Sequence, residues 1–122
     1  MHTAIYLRTA GKNQAQISKQ REACRREAIS LGAKTILEFS DEGVSGITLD
    51  RPSLQKLREK IRKGQIETVI VRNPDRLSRE LSHMVLLVEE IEKAGVRLVF
   101  AEKQLEINDF RGIINLFKTE KK

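Results

Sequence analysis

At 122 residues the chain is sized for one domain burying roughly two thirds of its unfolded surface, and two domains would each be too small to hold a core. With 39% hydrophobic and 33% charged residues it reads as a water-soluble globular protein, and no apolar run reaches the roughly 20 residues that cross a bilayer, which excludes a membrane span. The net charge of +6 favours a polyanionic partner, although many basic proteins of this size bind no nucleic acid.

The opening Met1-His2-Thr3-Ala4-Ile5-Tyr6 has neither the basic start nor the long apolar stretch of a secretory signal, so a cytoplasmic location is expected. Ala4 to Leu7 is the first short apolar strand, followed by a helical stripe of Ile17, Cys24, Ala28 and Leu31. The lone Cys24 rules out an internal disulfide, and its place on that stripe predicts an inert buried thiol. His2 and His83 stand too far apart in sequence to suggest a zinc site, and no metal or cofactor is expected.

Thr35 to Leu37 is a second strand candidate, and Gly43 and Gly46 after it suggest a loop with positive φ. Pro52 suits a first helical turn, where its missing N–H has no partner, and Leu54, Leu57 and Ile61 form that helix's stripe. Thr68 to Val71 and Val96 to Phe100 are two further strands. Between them Leu81, Met84, Val85, Val88 and Ile91 mark a third helix, with His83 on its surface. Gly32, Gly64 and Gly95 each follow a helix, where a left-handed C-cap favours glycine. Gly112 to Phe117 begins another amphipathic pattern that gives way to Lys118-Thr119-Glu120-Lys121-Lys122, so a helix cut short is expected there.

This alternation, with strands too apolar for one-sided burial, predicts an α/β fold. Its mainly parallel central sheet of four or five strands carries helices on both faces. In such sheets function gathers at the carboxyl ends of the strands. Three arginine-bearing segments fall there: Arg8-Thr9-Ala10-Gly11, Asp41 through Arg51, and Asp75-Arg76-Leu77-Ser78-Arg79. Arginine offers a planar fork of donors matched to phosphate oxygens, so a convergence of arginines would suit phosphoryl transfer.

Tyr6-Leu7-Arg8-Thr9-Ala10-Gly11-Lys12-Asn13-Gln14, with Ser18-Lys19-Gln20 downstream, resembles the opening motif of the serine recombinases of the resolvase/invertase family. Asp41-Glu42-Gly43-Val44-Ser45-Gly46 with Arg51-Pro52 resembles the second motif, and Asn73-Pro74-Asp75-Arg76-Leu77-Ser78-Arg79 the third. The three stand in family order across residues 3 to 117, nearly the whole chain. The resemblance implies a catalytic domain that cuts and rejoins DNA through a phosphoserine linkage, without a high-energy cofactor or a metal.

It also implies roles. Arg8, Arg51, Arg76 and Arg79 would bind or activate the scissile phosphate, Asp75 would pair with and orient the arginines, and Gln14, Gln20 and Ser45 would be auxiliary polar groups. The nucleophile's position is Ala10, and a methyl group cannot attack phosphorus. Thr9 matches an apolar family position and should face away from the arginines, because strand neighbours alternate.

The expected partners are the DNA phosphate backbone and further recombinase subunits. With the dimer helix only begun, a monomer or weak dimer is expected. An alternative reading is a naturally inactive domain that occupies DNA phosphate or regulates an active recombinase. The sequence is equally compatible with an alanine placed by design and with a degenerate copy. A signalling domain phosphorylated on aspartate would need acidic residues beside the first strand, where Arg8 stands instead.

Overall fold

The computed structural model describes residues 1–102 and the backbone of strand 105–107. In chain order the elements are β1 (His2–Thr9), α1 (Gln14–Ser30), β2 (Ile36–Glu42), α2 (Pro52–Arg62), β3 (Ile66–Val71), α3 (Pro74–Leu77), α4 (Leu81–Lys93), β4 (Arg97–Phe100) and β5 (Leu105–Ile107). They build one sheet in the order β2-β1-β3-β4-β5. The first four strands run parallel and β5 runs antiparallel to β4.

Strand alternation divides the core between the two faces. Ala4 and Tyr6 of β1 join Val69 and Val71 of β3 under Leu54, Leu57 and Ile61 of α2 and Met84, Leu87, Val88 and Ile91 of α4. Ile5 and Leu7 join Ile70 and Val99 on the opposite face, against Ile17, Cys24 and Ala28 of α1. Burial on both sides is the reason β1 and β3 read as unbroken apolar runs, and the expected helices on both faces are present.

Pro52 opens α2, and Gly32, Gly64 and Gly95 take positive φ just past α1, α2 and α4. The strands run further than their apolar runs. β1 continues through buried Arg8 and Thr9, and β2 through Ser40 and buried Asp41 to Glu42. The position of the fifth strand and the single-turn α3 were not anticipated, both being too short to show periodicity.

Three expectations are corrected. Leu31 and Leu81 are exposed, because they sit at helix ends where the stripe runs past the sheet. On α4 Leu87 is buried and Val85 only half-buried. His83 is half-buried rather than on the surface, with Nδ1 enclosed and unpaired. No helix among the described residues is long and apolar enough to cross a membrane. The amphipathic pattern of residues 112–117 lies outside the described residues.

Candidate active site

The chain turns to opposite sides of β1, placing β2 on one flank and β3 on the other. In open parallel sheets such a switch point leaves a crevice at the carboxyl ends of the strands. Three segments meet at that crevice: the end of β1, the loop from β2 to α2, and the turn after β3.

Between β2 and α2 the tie is Asp41. One carboxylate oxygen accepts the Ser53 N–H at 2.9 Å, and the other accepts the Leu54 N–H at 3.0 Å and the Tyr6 hydroxyl at 2.7 Å. Two orphan amides of α2's first turn are thereby satisfied, a service that Arg51 at the N-cap does not provide with its own side chain. Arg51 is fully buried, and its guanidinium carbon lies 5.8 Å from the centre of the Tyr6 ring. Its Nε donates to the Thr48 carbonyl at 2.9 Å and its Nη1 to the Tyr6 hydroxyl at 3.3 Å. Nη2 is buried with no partner. Burial pushes the Tyr6 phenol well above its ordinary pKa; the Arg51 cation opposes this and Asp41 adds to it.

Arg8 is fully buried too. Its Nε donates to the Arg76 carbonyl at 3.0 Å, Nη1 to the Val44 carbonyl at 2.9 Å and Nη2 to the Asp75 carbonyl at 2.7 Å. Burial first, then the neighbouring Arg51 cation, lower its pKa, while Asp75 acts in the opposite sense. The backbone of Arg8 is held from the other side. The β1–β3 ladder ends at Tyr6 and Val71, and the fully buried Gln20 of α1 takes over: its Oε1 accepts the Arg8 N–H at 3.0 Å and its Nε2 donates to the Arg8 carbonyl at 2.9 Å.

After β3, Asn73 caps α3 by accepting the Arg76 N–H. Asp75 receives Arg79 in a two-pronged pair, Nε to Oδ1 at 2.8 Å and Nη2 to Oδ2 at 3.2 Å, with Arg8 Nη2 3.9 Å from the same carboxylate. The half-buried Arg76 keeps Nε enclosed and unpaired. Ala10 is exposed at the end of β1. Gln14 is exposed and donates to Glu42 at 3.1 Å, and Ser45 accepts the Ile47 N–H at 3.2 Å. Thr9 falls on the α1 side by alternation, buried, its hydroxyl unpaired.

The expected residues therefore converge, but not as equals. Arg51, Asp75 and Arg79 lie within electrostatic reach of Arg8, and the Arg76 carbonyl is bonded to it; Gln14 opens α1, Ser45 stands on the loop after β2, and Gln20 holds the main chain of Arg8. Arg8 gives three of its five N–H donors to main-chain carbonyls, one from each nitrogen.

Two contributors were missed. Gly46 does not take positive φ; a Cβ there would stand 2.7 Å from Arg8 Nη2 and 3.0 Å from Arg79 Cγ, so the glycine serves close approach. Ser78 is buried, its hydroxyl within reach of the Gly46 and Glu80 carbonyls at 3.4 and 3.2 Å and accepting the Glu80 N–H at 3.1 Å. Its place between two arginines in Arg76-Leu77-Ser78-Arg79 was the only signal.

Comparison with known proteins agrees with this geometry. Residues 3–118 match the family described as Resolvase, N terminal domain. The chain belongs to that family, the catalytic domain of the serine recombinases. It is 43% identical over 101 residues to a putative DNA recombinase of Bacillus subtilis, covering 80% of this chain and 20% of that protein. It is 35% identical over 80 residues to the DNA-invertase of Escherichia phage P1, covering 65% of this chain and 40% of that one. The chain thus spans less than half of either relative. Among solved structures, the N-terminal catalytic domain of TP901-1 integrase superposes with a TM-score of 0.82 at 28% identity, covering 97% of this chain and 96% of that one.

Proposed function

We propose that this chain is a DNA-phosphate-binding recombinase catalytic domain in which the strand-cleaving step is missing. The observation that carries the reading is a pair of enclosed guanidinium nitrogens without partners, Arg51 Nη2 and Arg76 Nε, on the segments that follow β2 and β3, with Ala10 exposed just past β1. Enclosed donors of this kind are costly unless an anion completes them. A backbone phosphate of DNA offers the matching oxygens.

In the resembled chemistry a serine hydroxyl at position 10 attacks phosphorus and the DNA strand leaves, which conserves the bond as a phosphoserine. Ala10 has no oxygen to attack with. Arg51, Arg76 and Arg79 would hold the phosphate, Asp75 would steer Arg79, and Gln14 and Ser45 would line the approach. An intact arginine cluster without a nucleophile supports a second reading as well, a domain that occupies DNA phosphate or pairs with an active recombinase to regulate it.

Fluorescence anisotropy with a labelled random-sequence duplex tests the binding claim. Log affinity should fall linearly with log salt, at about 0.9 per phosphate contact, and Arg76→Gln or Arg79→Gln should each make the slope shallower by about 0.9. Salt-insensitive binding, or binding to one sequence only, would contradict it.

A further inference from the structure

We infer that Glu102, just past β4, is a positioning residue: its carboxylate orients the side chain of Asn73, the cap of α3, and thereby sets the turn that carries Asp75 and Arg76. The inference concerns how the turn after β3 is assembled, and it rests on the phosphate-binding reading above only where it bears on DNA.

Main-chain pairing brings the two residues together. Beyond the last ladder pair of β3 and β4, Val71 with Phe100, the Ala101 N–H donates to the Val71 carbonyl and the Glu102 N–H to the Arg72 carbonyl, each at 2.9 Å. Glu102 thus arrives beside Asn73, whose Nδ2 donates to Glu102 Oε2 at 2.9 Å. Arg72 Nε stands 3.8 Å from the same oxygen, too far for a hydrogen bond, and balances its charge. At the other end of the amide, Asn73 Oδ1 accepts the Arg76 N–H at 3.3 Å. Pro74 confines the residue before it to extended backbone, where Asn73 lies. What remains to be set is which end of the amide faces the helix. A carboxylate has only acceptors, so it takes the Nδ2 end and leaves Oδ1 for Arg76; the reversed amide would set donor against donor and acceptor against acceptor. Aspartate would cap α3 as well, but it would bring like charges together at Glu102. Asp75 in turn holds Arg79 in its two-pronged pair, so the orientation of one amide reaches both arginines after β3.

DNA binding gives one readout. Glu102→Gln and Glu102→Leu remove the same negative charge, so their attraction to a random-sequence duplex differs only through the turn. In fluorescence anisotropy at equal salt, Glu102→Leu should bind about threefold or more weakly than Glu102→Gln, whose amide oxygen still accepts from Asn73. Equal affinity of the two, with a parent that binds, overturns the positioning role. If the parent shows no salt-dependent binding, the phosphate reading fails, and the orientation of Asn73 is decided separately by hydrogen exchange.

In that arm the Arg76 main-chain N–H is followed through a double-variant cycle. Glu102→Leu should speed its exchange by about fivefold, the factor that one net hydrogen bond is worth, and Glu102→Gln by less than about twofold. The Val69 and Ile70 amides of β3 should be unchanged. In an Asn73→Asp background the effect should vanish or reverse: a carboxylate cap has no donor end to turn away, and the leucine removes a like charge beside it. A residue that merely packs would loosen the turn in both backgrounds. Faster exchange from Glu102→Leu in both, no change in the parent background, a Glu102→Gln variant as fast as Glu102→Leu, or acceleration shared equally by Val69 and Ile70 each overturns the inference.

Discussion

Replacing Gln20 by leucine should destabilise the domain by about 3 kcal/mol, although the substitution adds apolar surface at a fully buried position. Gln20 supplies the partners that β3 no longer provides once its ladder with β1 ends at Tyr6 and Val71. Leucine fills similar space but leaves the Arg8 N–H and C=O enclosed and unpaired. Each stranded group costs about 1–3 kcal/mol, and the added apolar burial offsets only part of the sum. For a domain whose whole stability is on the order of 5–15 kcal/mol the loss is large. Urea unfolding followed by far-ultraviolet circular dichroism should show a lower midpoint with an unchanged slope, the mark of lost stability rather than altered compactness. A loss below about 1 kcal/mol would show that the amide is not the sole satisfier of that strand end, and would refute the clamp.

Two further expectations follow from the buried and paired groups. Burial pushes the Cys24 thiol up to about 12, with the Arg72 cation opposing. The native protein should therefore react with thiol reagents only as fast as it opens, and the stabilising effect of the neutral thiol, intact below the unfolded-state value, should fade as pH climbs toward 12. Reaction at the rate of a free thiol would contradict this. The Arg58–Glu90 pair joins α2 to α4 with an Nε to Oε2 bond of 2.9 Å, and that bond holds the Glu90 carboxyl below its ordinary pKa. Glu90→Gln should cost about 1 kcal/mol near neutrality. Its difference from the parent in urea unfolding should shrink as pH falls through the depressed carboxyl value; a gap that widens in acid would refute the assignment.

The sheet was legible because its inner strands are buried on both faces. Ala4 to Leu7 and Thr68 to Val71 admit no other reading once helical stripes separate them. The strand ends were not, since Arg8 and Asp41 are polar and buried only because partners far along the chain receive them: Val44, Asp75 and Arg76 for Arg8, Ser53 and Leu54 for Asp41. The motifs named the residues of the crevice but not their division of labour. Nothing in Tyr6-Leu7-Arg8 shows that this guanidinium reaches three main-chain carbonyls, because that depends on where two distant loops close. Gly46 illustrates the same limit: paired with Gly43 it reads as a turn glycine, whereas the three-dimensional reason is the Arg8 side chain beneath it.

The most direct test of the missing chemistry exchanges the matching segment of the phage P1 DNA-invertase for this chain and presents the hybrid with that enzyme's own recombination site. Two forms are compared, one with Ala10 and one with Ala10→Ser, by looking for protein that stays attached to DNA in denaturing gels. The account predicts that both forms bind the site and that only the serine form leaves a covalent adduct. An adduct from the alanine form, or none from a serine form that binds the site, would contradict the assignment of position 10 as the empty nucleophile position.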